Sequence, residues 1–215
     1  MHWREKPTGQ HIELGIAETN LVGLLGELGA TWSRWGQPLF PVGVLYDPFV
    51  ERALEPWSFG IYAGGQSILV GTPSGVSLAP EGGAHQSITT PSIGIEQPGC
   101  VTYEPAFATD TEWCLLASLA RLGRPDGSSA YLRLSTRPVS QKLAAIPADP
   151  AARATPLVTV LDGHPHTLSF LATVNRVPHA ALGVAQFGQS GAIEDLYRYN
   201  GIDTESIIRA GLDLV

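Results

Sequence analysis

Leu39-Phe40-Pro41-Val42-Gly43-Val44-Leu45-Tyr46-Asp47-Pro48-Phe49-Val50 is the stretch whose reading decides the fold. Leu39 to Tyr46 is an apolar run of strand length. Asp47 then offers an N-cap side chain and Pro48 takes the first helical position, so the spacing predicts a helix over Phe49 to Leu54. The same alternation recurs downstream. Ser67 to Gly71, Cys100 to Tyr103 and Ala130 to Leu134 read as further short strands. Phe107 to Leu122 reads as a helix carrying apolar Trp113, Leu115, Leu116 and Leu119. Strands alternating with helices predict an α/β fold, a mostly parallel sheet with helices on both faces.

Upstream lies Gly9-Gln10-His11-Ile12-Glu13-Leu14-Gly15-Ile16-Ala17-Glu18. After it Leu21, Leu24, Leu25 and Leu28 recur at helical spacing and predict one buried stripe, with Gly29 and Gly36 leading out of the helix. Glu18 therefore opens a core helix. From spacing alone it reads first as a solvated first-turn carboxylate that complements the helix dipole. Held away from water instead, such a carboxyl has its charged form disfavoured and can share a proton with a nitrogen heterocycle.

Between the second and third strands runs Thr72 to Pro98, rich in glycine and proline and without helical or alternating pattern, as functional loops often are. Its glycines let backbone approach a ligand, and His85 can move a proton near neutral pH, although a lone loop histidine is more often just a surface residue. Tyr46 and Phe49 flank the strand-to-helix junction and read as core or as an aromatic platform. Arg137 to Pro156, with Pro138, Pro147, Pro150 and Pro156, suits an extended linker. Beyond it Leu157 to Leu161 and Leu182 to Ala185 read as strands. Ile193 to Tyr199 and Ser206 to Leu214 read as helices, the last capped by Asp203. The predicted division is therefore 1–138, a linker over 139–156, and a small truncated α/β unit over 157–215. No internal repeat is visible.

The 215 residues suffice for a sizeable core, and 44% hydrophobic with 15% charged residues mark a globular chain. A formal charge of −7, without basic runs, gives no footprint for nucleic acid or an anionic membrane surface. No apolar run reaches membrane-spanning length, and Met1 to Lys6 lacks the apolar core of a signal peptide. Cys100 and Cys114 lack CxxC spacing and read as reduced, buried thiols, which points to the cytoplasm. His164 and His166, separated by a proline and without acidic or cysteine companions, read as structural, so no metal ligands are assigned.

Gly9 to Glu18, Tyr46-Asp47-Pro48-Phe49-Val50, Thr72 to Ser87 with its Glu81-Gly82-Gly83-Ala84-His85-Gln86-Ser87, Tyr103-Glu104-Pro105-Ala106-Phe107 and Tyr131 to Pro138 together resemble the transketolase-like thiamine diphosphate-dependent family. The likeness is to the pyrimidine-binding domain of the homodimeric type of pyruvate dehydrogenase first component, over Thr8 to Pro138. Asp162 to Thr167, Phe187 to Gly191 and Tyr197 to Asp203 resemble the end of the transketolase C-terminal domain. The resemblance implies thiamine diphosphate as cofactor, with Glu18 on the pyrimidine ring, Tyr46 and Phe49 holding that ring, and His85 steadying or protonating substrate oxygens. It implies decarboxylation of a 2-oxo acid and transfer of the acyl unit to a lipoyl-bearing acyltransferase component.

In the family, magnesium and diphosphate are held by a different domain with a Gly-Asp-Gly motif, and no such triplet occurs here. The expectation is therefore a partner domain or chain that supplies that half of the site, in a homo- or hetero-oligomer. The family's pyrimidine domain also carries a strand and helix before the glutamate segment, whereas eight residues precede Gly9 here. The alternatives are a catalytically inactive remnant acting as an interaction subunit, and part of a sugar-phosphate transketolase.

Overall fold

A computed structural model describes residues 6–143, 157–168, 178–186 and 188–214. Most of the expected linker, residues 144–156, lies outside the described residues, as do Met1 to Glu5 and Phe187. Four strands, β1 (Val42–Leu45), β2 (Ile68–Gly71), β3 (Cys100–Tyr103) and β4 (Ser129–Arg133), form one parallel sheet in the order β1-β2-β4-β3. Leu45, Gly71 and Arg133 stand in register, so the chain leaves β1, β2 and β4 at one edge of the sheet.

Period-2 alternation sends β2 and β4 side chains into two separate cores, because helices cover both faces. Leu69 and Tyr131 meet Val22 and Leu25 of α1 (Glu18–Gly29) and Val50, Ala53 and Trp57 of α3 (Val50–Tyr62). Ile68, Val70, Ala130 and Leu132 meet Leu115 and Leu119 of α5 (Ala108–Leu119), together with Leu122. A short helix α2 (Thr31–Arg34) follows α1, and α4 (Thr90–Glu96) packs Ile93 on the first core.

Several elements differ from the sequence expectation. The buried stripe of α1 is Glu18, Val22, Leu25 and Gly29, so Leu25 alone of the four leucines is fully buried, because the helix presses in through small residues. A Cβ on Gly26 would lie 3.0 Å from the Cα of Gly60 on α3, so the two helices touch along their backbones. The helix expected to stop at Leu54 continues to Tyr62 through Pro56. Burial of Ala53 and Trp57 offsets the one backbone bond a proline removes. Asp47 is no cap: it lies in a 3₁₀ turn (Asp47–Phe49) with its side chain turned into the core. The long Thr72–Pro98 stretch contains two 3₁₀ turns and α4, which begins with a proline in its first turn.

The remaining residues form a second parallel pair, β5 (Leu157–Leu161) with β6 (His179–Gly183), and two helices, α6 (Ile193–Tyr199) and α7 (Thr204–Leu212). β6 begins three residues earlier than expected and ends two earlier, the register being set by pairing with β5 rather than by the apolar run. Asp203 caps α7 as expected, accepting from the backbone N–H groups of Glu205 and Ser206. Val184 and Ile202 of this part share a core with Val76 and Ile88 of the long loop.

Candidate functional site

The carboxyl edge of a parallel sheet is where open α/β folds collect loops and bind ligands. Here the Tyr46–Phe49 turn leaves β1 at that edge, and His85 stands in the second 3₁₀ turn (Gly83–His85) of the loop that follows β2. The rings of Tyr46 and Phe49 are 5.3 Å apart. His85 lies 5.6 Å from Tyr46 and 5.9 Å from Phe49, edge-on to both. Glu18, at the first turn of α1, is only 8% exposed. Its Oε2 lies 3.4 Å from Nη1 of Arg52, whose guanidinium sits 4.4 Å above the Phe49 ring. All four side chains singled out in the sequence therefore fall in one continuous set of contacts, joined by Arg52.

The His85 turn is held from outside by the C-terminal residues. A Cβ on Gly83 would lie 2.2 Å from the carbonyl oxygen of Gly188, a fit that only glycine allows. The Gln86 side chain donates to the Gln189 carbonyl and accepts from the Gly188 N–H at 3.4 Å. From inside, the turn is held by a buried polar network that sequence reasoning missed. Asp47, with no exposed surface, accepts from the hydroxyls of Ser87, Thr90 and Tyr131 and from Nε of Arg133 at 3.1 Å. Arg133 also donates to Glu104 at 2.6 Å and to the Ser87 carbonyl at 2.8 Å. One signal was legible: an arginine in the apolar run Ala130 to Leu134 needs a buried counter-ion.

Burial alone would lower the Arg133 pKa, but the Glu104 and Asp47 carboxylates outweigh it and hold the guanidinium firmly charged. Burial raises Glu104, opposed by Arg133, and raises the Tyr131 hydroxyl, helped by Asp47. Asp162, which accepts from the Val76 N–H at 2.8 Å, is pushed up to about 7 by burial. Burial also pushes the Cys100 thiol up to about 12, and both cysteines are free.

A cleft of about 670 Å³ does not contain the aromatic group. Glu104, Phe107, Arg133, Arg137, Asp162 and Tyr197 are among its lining residues, and Arg133 and Glu104 pair with one another there. A smaller hollow of about 250 Å³ adjoins the His85 turn and is lined by Pro48, Glu51, Ala84 and Gln86 to Thr89. Among the described residues no three His, Cys, Asp or Glu side chains lie close enough together to hold a metal ion. Nor does any helix among them have the length and apolarity to cross a membrane.

No protein-family model matches the chain. Over 143 residues it is 24% identical to the pyruvate dehydrogenase E1 component of Mycobacterium tuberculosis, covering 65% of this chain and 15% of that protein. Over 132 residues it is 29% identical to a 6-deoxy-6-sulfo-D-fructose transketolase subunit of a Clostridium species, covering 60% of this chain and 38% of that one. The fold matches transketolase from Leishmania mexicana with a TM-score of 0.67 at 18% identity, over 93% of this chain and 37% of that one. The chain is transketolase-like. In sequence and fold it resembles the thiamine diphosphate-dependent transketolase-like family, and it spans 15% and 38% of the length of the two curated relatives named above. A split-gene transketolase described as an inactive beta4 tetramer also has a TM-score of 0.67, at 15% identity, over 93% of this chain and 82% of that one.

Proposed function

We propose that this chain is the pyrimidine-binding part of a thiamine diphosphate-dependent pyruvate dehydrogenase first component, in the cytoplasm. On this reading, the diphosphate and magnesium are held by another domain or chain. The observation that carries the reading is the junction of Glu18, Arg52, Phe49, Tyr46 and His85 at the carboxyl edge of the sheet. A nearly buried carboxylate beside an aromatic face suits a flat, nitrogen-bearing ring, and a planar guanidinium already fills that relation. The fit to an aminopyrimidine is good.

Bound there, thiamine diphosphate supplies the electron sink that decarboxylation of a 2-oxo acid needs. The residues of this chain do the rest of the work assigned to this half. Glu18 would hold the ring by sharing a proton between its carboxyl and a ring nitrogen. Tyr46 and Phe49 bind and orient the ring. His85, fixed edge-on to both aromatics, holds or delivers a proton at the substrate oxygens through a ring nitrogen. The Asp47–Arg133 network and the Gly83–Gly188 contact hold that histidine in place.

A partner domain or chain is part of the reading: this chain spans 15% of the pyruvate dehydrogenase component it resembles and 82% of the split-gene transketolase. A lipoyl-bearing acyltransferase component receives the acyl unit. The test is carbon dioxide release from pyruvate by the chain mixed with a Gly-Asp-Gly-bearing subunit, in wild-type and Glu18→Gln forms. Loss of the shared proton should lower turnover by about 10²–10⁴-fold. Turnover retained in the variant would contradict the assignment of Glu18. A transketolase activity is the second reading, favoured by the 29% identity to a transketolase subunit. Turnover of a ketose in place of pyruvate in the same mixture would select it.

A further inference from the structure

We propose that Arg52 occupies the seat of the pyrimidine ring and must leave it for the ring to bind, so that this arginine sets the affinity of the site. The inference rests on the reading of Glu18 and Phe49 as the ring-binding pair. A guanidinium is flat, hydrogen-bonds through its edge and stacks through its face, and an aminopyrimidine does the same. In this structure the guanidinium carbon is 4.4 Å above the Phe49 ring, and one nitrogen is 3.4 Å from Glu18 Oε2. Only one flat group can lie over that ring face at contact distance and also reach that carboxylate. The two occupants therefore exclude each other.

The exchange is sterically open. Arg52 follows Phe49 by three residues at the start of α3, and its side chain is 56% exposed, whereas that of Glu18 is 10% exposed. The arginine can swing into water, while the carboxylate stays behind and needs a new partner. Contacts of this exposed kind are individually weak, so the arginine is a displaceable occupant rather than a fixed strut. While it is seated the site is not competent, and apparent affinity falls by the fraction of time the seat is open. With both contacts counted, that reduction is about tenfold.

The test uses the uncharged fragment 4-amino-5-hydroxymethyl-2-methylpyrimidine at pH 8, titrated with the full chain and followed by ligand-observed NMR. Neither the diphosphate nor a generic charge effect then contributes. Arg52→Ala should bind the fragment about tenfold more tightly than wild type. Arg52→Lys, which keeps the charge but loses the planar fork, should shift the same way, and Glu18→Gln should bind more weakly. Equal or weaker binding by Arg52→Ala, with Glu18→Gln still weakened, would overturn this inference and leave the ring site standing. No binding by any form would overturn the ring-site reading and the inference with it.

Discussion

Replacing Asp47 by asparagine tests whether a buried charge holds the candidate site in shape. Asp47 Oδ2 receives Ser87, Thr90 and Arg133, and Oδ1 receives Tyr131. Asparagine keeps the volume, and its carbonyl can take the Oδ2 position while its amide turns to the Tyr131 oxygen, which can accept. What is lost is the charge opposite a fully buried arginine. Breaking a buried pair costs about 3–5 kcal/mol, and the low end applies because Glu104 still holds Arg133 at 2.6 Å. For a chain of this size that loss lowers the melting temperature by about 6–12 °C. Arg133→Met should cost more, since it strands Asp47 without a cation. Urea unfolding of both single variants and the double variant would give the coupling directly, the double costing less than the sum. Hydrogen exchange should show faster opening of Gly83 to Ser87. A cost below about 1 kcal/mol for Asp47→Asn, or strict additivity, would refute the reasoning.

Three further outcomes follow from the packing. With Asp162 raised to about 7 from its usual 3.8, the folded chain keeps a proton that the unfolded chain releases. That stabilising contribution is full below about pH 4 and lost as pH rises through about 7, by up to about 4 kcal/mol. Urea midpoints of wild type should therefore fall over that range relative to Asp162→Asn, and parallel curves would contradict this. Gly29→Ala gains about 1 kcal/mol of helix propensity, but its Cβ would lie 2.5 Å from the Gln66 carbonyl oxygen. Overpacking against backbone costs about 1–3 kcal/mol, so thermal melting should show net destabilisation. Asp203→Ala removes the cap of α7 and should cost about 1 kcal/mol in the same assay.

The sheet was legible because four short apolar runs are separated by segments with plain helical or turn signals. α4 was hidden because glycine, proline and threonine dominate its surroundings, and its stability comes from packing Ile93 and burying Thr90 rather than from propensity. The α1 stripe misled because leucine count marks hydrophobicity, whereas the contact with Gly60 is made where side chains are absent. Glu18, Tyr46, Phe49 and His85 were found through motif resemblance, and the structure brings them together. Arg52 was not found, and Asp47 was read only as a cap. The part each charged residue plays depends on where the start of the helix points it, which spacing does not reveal.

On the function proposed above, this chain supplies the ring-binding half of a divided thiamine diphosphate site. The most direct measurement is a calorimetric titration of thiamine diphosphate with magnesium into the chain mixed with a Gly-Asp-Gly-bearing subunit, with Glu18→Gln as control. Saturable binding in the mixture, weakened by the variant and far stronger than for either chain alone, is the predicted result. Binding that Glu18→Gln leaves unchanged, or no binding in the mixture, would contradict the account.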